Sequence, residues 1–193
     1  MTRHSSFAPV IAAGARVLIL GSMPGVASLA AKQYYAHPQN QFWRIIERIC
    51  GVPHTLPYPA RLEGLTSSHL ALWDVLESCV RPGSLDSAIE HGSAVPNALT
   101  RLLRAHPEIR RLCCNGATSY RLVQRFFAAE LVRDFPRLEC LRLPSTSPAH
   151  AGMRLEDKVL AWRQALQVGG RGARRSGAAP AARPNVRVRV RGG

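Results

Sequence analysis

A chain of 193 residues carrying a net charge of +14 fits one domain with a full core and a polyanionic partner, most often nucleic acid. Its 26 basic residues include only two lysines, Lys32 and Lys158, and seven of the 24 arginines fall after residue 168, where no acid offsets them. No apolar run can span a bilayer and the N-terminus lacks the pattern of a secretion signal, so no membrane contact is expected and the expected location is cytoplasmic, nucleoid-associated if bacterial.

The first predicted element is a buried strand, RVLILG at residues 16–21, a short apolar run closed by glycine. From Gln41 the positions Phe42, Ile45, Ile46 and Ile49 keep helical spacing, and Gly51 with Pro53 ends that helix. HLALWD at 69–74 predicts a second strand, and Pro96 is placed to open a helix through Leu99, Leu102 and Leu103. IRRLCCNG at 109–116 predicts a third strand, followed by a helix whose face holds Leu122, Val123, Phe126, Phe127 and Leu131. LECLRL at 138–143 predicts the fourth, and Leu155, Val159, Trp162 and Leu166 stripe a last helix. Strands alternating with helices predict an α/β fold whose parallel sheet is covered on both faces. Residues 1–168 make the expected domain. Residues 169–193 are too rich in Gly, Ala and Arg to bury a core and are expected to form a disordered basic tail, although the alternating VRVRVR run is also open to an edge strand.

Five cysteines form no CxxC pair, which argues for reduced thiols and against a zinc or iron–sulfur site. The histidines are scattered with no pair at metal-ligand spacing, so neither metal nor cofactor is expected. No GxSxG elbow and no recognisable Ser/His/Asp spacing occurs. The unusual residues follow the strands instead. GSMPG follows the first strand, Asp74 closes the second, Asn115-Gly116 closes the third, and PSTSPAHAG follows the fourth. In open parallel sheets, ligands bind beyond the carboxyl ends of the strands. Each segment also has a plainer reading: GSMPG and Asn115-Gly116 as turns, Asp74 as a helix cap, STSP as a cap for the last helix. Together they offer amides, hydroxyls, backbone N–H groups and rings, an inventory suited to a flat hydrogen-bonding nucleobase.

The ordered segments GSMPG, YYAHPQNQFWRII, LWDVLESC with GSLDSAI, CNG and PSTSPAHA resemble the uracil-DNA glycosylase superfamily, within it the hypoxanthine (deoxyinosine) branch. The likeness spans residues 16–166 and implies a three-layer αβα sandwich around a four-stranded parallel sheet. It also implies a monomeric, monofunctional enzyme that flips a deaminated base from double-stranded DNA and hydrolyses its N-glycosidic bond. Asn40 would be catalytic, holding water, while Gly21, Ser22 and Met23 would line the base pocket and offer backbone N–H groups. Tyr35 would stack on the base, Asn115 would read its edge, and Asp74 would support the site. Ser145, Ser147, Pro148 and His150 would contact DNA. Two places depart from related patterns. Met23 stands where the mismatch-specific uracil enzymes carry an Asn, as in GxNPG, and His150 stands where the hypoxanthine branch more often reads the Asn of SPAN.

Three rival functions remain open on the sequence: a mismatch-specific uracil-DNA glycosylase, a nucleic-acid-binding module without catalysis, and an α/β enzyme acting on a free nucleoside. Asn40 itself is equally placed to cap the helix beginning at Gln41.

Overall fold

Four short apolar runs make the central parallel sheet: β2 (Val17–Gly21), β3 (Leu70–Asp74), β6 (Arg111–Asn115) and β7 (Glu139–Leu143), in the order β3-β2-β6-β7. They belong to a computed structural model that describes residues 3–150 and 152–167. The expected basic tail and its VRVRVR run lie outside the described residues. Among the described residues no helix is long and apolar enough to cross a membrane.

Alternation along the strands assigns the two faces, because successive side chains point to opposite sides. Leu18, Leu20, Ala71, Trp73, Leu112 and Cys114 pack on α4 (Leu99–Ala105) and α5 (Ala117–Asp134). Val17, Ile19, Leu70, Leu72 and Cys113 pack on α2 (Phe42–Cys50), α3 (Tyr58–Ser67) and α6 (Leu155–Leu166). The result is the expected three-layer αβα sandwich. In α2, Phe42, Trp43, Ile45 and Ile46 are buried while Arg44 and Arg48 are exposed. Gly51 ends the helix in the left-handed region at φ 72°, its N–H bonded to the Glu47 carbonyl. Leu18, Ile19, Leu20, Ile45 and Ile46 are fully buried, each stabilising the fold by roughly 1.5–3 kcal/mol.

Three features depart from the sequence reading. Asp74 is not a helix cap, because β3 runs on through Val75 into another strand, β4 (Leu76–Val80). With β1 (Arg3–Ser5) and β5 (Val95–Pro96), β4 forms a second, antiparallel sheet in the order β1-β4-β5. Pro96 lies in β5 rather than opening α4, which begins at Leu99. The STSP serines do not cap α6, whose N-cap is Arg154. Two helices carried no clear periodic signal: the six-residue α1 (Val26–Ala31) and α3, which starts through Pro57 and Pro59.

Candidate active site

Strand register sets the site. Gly21 pairs with Asp74 and Asn115 with Leu143, while Leu20 lies beside Cys114, so the carboxyl ends finish level. The four connections leaving that edge enclose a cavity of about 490 Å³, within the range of small-molecule sites. Gly21, Ser22, Met23 and Asp74 line it from one side, Tyr35 and Asn40 from a second. Asn115, Ser145, Ser147, Pro148 and His150 line the third. Every residue singled out from the sequence therefore reaches one hollow.

The GSMPG turn is held from behind. Gly21 and Ser22 carbonyls accept the Val75 and Leu76 N–H groups at 2.9 and 3.1 Å. Arg81, only 1% exposed, donates to the Met23 carbonyl at 3.4 Å, the Gly83 carbonyl at 3.2 Å and the Pro24 carbonyl. Across a planar trans peptide the N–H points opposite the preceding C=O. Anchoring these carbonyls thus turns the N–H groups of Ser22, Met23 and Gly25 to the other side of the turn, whose residues line the cavity. Ser22 Oγ donates to Asp86 Oδ1 at 2.7 Å, and the Arg81 guanidinium lies 3.6 Å from the same oxygen. Met23 is a core residue at 5% exposure. Burial pushes the Asp86 carboxyl above its ordinary range, against the Ser22 bond and the Arg81 charge.

Asn40 shows both of its sequence readings at once. Its Oδ1 accepts the Phe42 N–H at 3.0 Å, an Asx-type cap at the start of α2, although the formal N-cap is Gln41. That bond identifies the oxygen end of the amide. One lone pair on Oδ1 remains, and no described partner takes the Nδ2 hydrogens. Tyr35 sits in the left-handed region at φ 56° with its ring stacked on Phe42, centroids 3.9 Å apart and planes at 22°. Phe42 therefore covers one face of the expected stacking platform. The Tyr35 hydroxyl is buried and makes no hydrogen bond of normal geometry among the described residues, although the Asn115 side chain faces it. Burial, followed by the Asp74 charge, drives the hydroxyl's acidity far down against the opposing Asn115 amide, so it stays a neutral donor. Tyr34, Phe42, Trp43 and Trp73 are core residues, none more than 8% exposed.

Asn115 is more committed than the sequence indicated. Its Nδ2 donates to Thr146 Oγ1 and its Oδ1 accepts the Thr146 N–H, both at 2.9 Å. Thr146 is fully buried, and its carbonyl takes the Gln41 N–H at 3.0 Å. This residue ties β6, the loop after β7 and the start of α2 together, and only its place inside STSP marked it. The same loop is held by Trp162 Nε1 on the Pro144 carbonyl at 3.0 Å and by buried Lys158 Nζ on the His150 carbonyl at 2.9 Å. Pro148 and His150 stand exposed at its tip. Gly116, at φ 100°, lets the loop approach: a Cβ there would lie 3.0 Å from Ser145 Cβ.

The Asp74 carboxyl is 3% exposed. Its Oδ2 accepts Ser6 Oγ at 2.7 Å, and its Oδ1 lies so close over Gly21 that a Cβ there would be 2.3 Å away. Burial first, then the Asp86 charge, raises it from 3.8 to about 7, against the Ser6 and Tyr34 bonds and the Arg81 charge. Arg81, Asp86, Thr146 and Ser6 were missed on the sequence. Arg81 and Asp86 flank the GSL turn, a position that alone marks no site.

The family model for the uracil DNA glycosylase superfamily matches residues 8–166. The chain belongs to this superfamily. Two relatives are both named hypoxanthine DNA glycosylase. One, from Methanosarcina barkeri, is 36% identical over 61% of this chain and 73% of its own length. The other, from Methanosarcina acetivorans, is 35% identical over 57% and 69%. A solution NMR structure from Methanosarcina acetivorans, provisionally described as a uracil DNA glycosylase, superposes with a TM-score of 0.69 at 27% identity. That likeness covers 86% of this chain and all of the other. In this superfamily member each of the five segments quoted from the sequence contributes residues to the cavity lining.

Proposed function

We propose that this superfamily member is a DNA glycosylase that extrudes hypoxanthine from double-stranded DNA and hydrolyses its N-glycosidic bond. The carrying observation is that Asn40, with its amide oriented by Phe42, shares one cavity with the anchored GSMPG turn and the strand-end residues. Relatives named hypoxanthine DNA glycosylase support the base chosen. The net charge of +14 suits a DNA partner, and the protein is proposed to act as a monomer in the cytoplasm.

Departure of the base leaves oxocarbenium character on the sugar and negative charge on the base. The free lone pair of Asn40 Oδ1 accepts a hydrogen bond from the attacking water. An amide is a poor base, so its contribution is to place the water beneath C1′. The N–H groups of Ser22, Met23 and Gly25 lie where they can meet charge on the leaving base, acting as fixed dipoles that need no reorganisation. Tyr35, one ring face already taken by Phe42, meets the base pocket with its hydroxyl beside Gly21 instead of stacking on the base. Ser145, Ser147, Pro148 and His150 contact the strand from which it left, and the pinned loop keeps that contact rigid. Extrusion costs a few kcal/mol, least at a weakened pair.

Duplexes with single hypoxanthine or uracil sites, treated with alkali after incubation, test the reading. Breaks at hypoxanthine that vanish in Asn40→Ala are expected. Preference for uracil would move the enzyme to the uracil branch, and tight binding without breaks would make it a binding module.

A further inference from the structure

Two buried polar groups meet at the cavity floor with no task in the hydrolysis. Asp74 Oδ1 lies over the α-carbon of Gly21, and the Tyr35 hydroxyl lies 3.5 Å from that same Cβ position. The hydroxyl is buried, the Asn115 amide faces its oxygen, and among the described residues no acceptor takes its proton at hydrogen-bond geometry. A buried donor left without a partner costs roughly 1–3 kcal/mol, so its place in a cavity wall points to a ligand atom that completes it. Gly21 is the residue that lets both approach: any side chain there would collide with the carboxyl.

We infer that the Asp74 carboxylate and the Tyr35 hydroxyl form an acceptor–donor pair that reads the N–H/C=O edge of a lactam base. The inference rests on the glycosylase reading and extends it to base selection. Deamination inverts one edge of a base. Adenine presents a ring-nitrogen lone pair beside an amino group, and hypoxanthine presents N1–H beside a carbonyl. A carboxylate accepts N1–H while the phenol donates to the carbonyl oxygen. Against adenine the carboxylate faces a lone pair, and the phenol oxygen can only accept from the amino group, which leaves its own proton unpaired. Sites built on such hydrogen bonds reject the mismatched analogue far more strongly than apolar pockets do. Guanine and thymine carry a lactam edge too, so the pair separates a deaminated base from its amino parent and leaves those bases to pocket shape.

The setting keeps both groups in role. Ser6 donates to Oδ2, which leaves Oδ1 as the acceptor toward Gly21. Tyr34 and Tyr35 face Asp74 from the segment before α2, and Asp86 and Arg81 from the segment after β4. The Asp74 charge helps to hold the Tyr35 proton in place. Below about pH 7 the carboxyl takes up a proton and becomes a donor able to meet the lone pair of adenine N1.

The test uses the full chain in single turnover on duplexes with hypoxanthine or adenine opposite an abasic analogue, so that pairing strength drops out. Wild type is expected to favour hypoxanthine by at least ~100-fold, with the ratio shrinking as pH falls from 8 to 5.5. Asp74→Asn, which can donate or accept, is expected to narrow the ratio at least ~10-fold and make it independent of pH. Tyr35→Phe keeps the ring and is expected to slow hypoxanthine removal about 10-fold. A ratio unchanged in Asp74→Asn and Tyr35→Phe, at every pH, overturns the inference. Equilibrium binding of free hypoxanthine and adenine to wild type and Tyr35→Phe supplies a readout independent of cleavage. If wild type breaks no duplex, the glycosylase reading fails, yet a hypoxanthine preference that depends on the Tyr35 hydroxyl still upholds the edge assignment and its absence rejects it.

Discussion

Asp74→Asn makes a stability experiment as sharp as the kinetic one. The native carboxyl binds its proton up to about pH 7, whereas in the unfolded chain it releases it near 3.8. Below 3.8 both states are protonated and the residue favours the fold fully. Between 3.8 and 7 the native state holds more protons than the unfolded state, so stability falls as pH rises. Above 7 both are ionised and the trend flattens. At 1.36 kcal/mol for each pH interval of one, the loss across this window is about 4 kcal/mol. Asn cannot titrate, and it keeps an oxygen for the Ser6 hydroxyl. The stability of Asp74→Asn relative to wild type should therefore rise by about 2–4 kcal/mol between pH 4.5 and pH 8. Urea unfolding of both proteins at four pH values measures it, and taking differences removes opposing groups such as Asp134, held low by Arg133 and Arg104. A difference that stays flat from pH 4.5 to 8 would show that Asp74 is ionised in the fold and refute the reasoning.

Asn40→Ala should cut single-turnover cleavage by at least ~100-fold and lower stability by about 1 kcal/mol through loss of the Phe42 bond. Asn40→Asp, which keeps the accepting oxygen, should recover the stability, as read by urea midpoint. Arg81→Met strips the Met23, Pro24 and Gly83 carbonyls of their donor and should cost about 3 kcal/mol, with slower cleavage in the surviving folded protein. Gly116→Ala combines a left-handed backbone with a Cβ 3.0 Å from Ser145, so a loss of about 2 kcal/mol and weaker duplex binding in gel shifts are expected. Truncation after residue 168 removes seven arginines and should flatten the salt dependence of DNA binding while leaving cleavage at saturating enzyme intact.

Strands β2, β3 and β6 were legible because each is a short apolar run bounded by turn residues, as a strand covered on both faces requires. The edge strand β7 was legible because Cys140, Leu141 and Leu143 still mark a strand although Glu139 and Arg142 are exposed. Helices α2, α5 and α6 were legible because their apolar positions recur at helical spacing over nine residues or more. The small antiparallel sheet was not, since β1 and β5 have three and two residues and carry no period. Candidate site residues could be found by position, because a parallel sheet gathers whatever follows its strands at one edge.

The order of segments along the chain thus determined the αβα layering, the edge that holds the cavity and the superfamily resemblance. Tertiary structure alone decided what each polar atom touches. Asn115 spends its amide on Thr146, Arg81 holds the carbonyls of a turn 57 and 58 residues away, and Asp74 lies buried over Gly21. The physical reason is range: periodicity and turn chemistry act between near neighbours in the chain, whereas a hydrogen-bond partner or a desolvated carboxyl exists only after distant segments have packed.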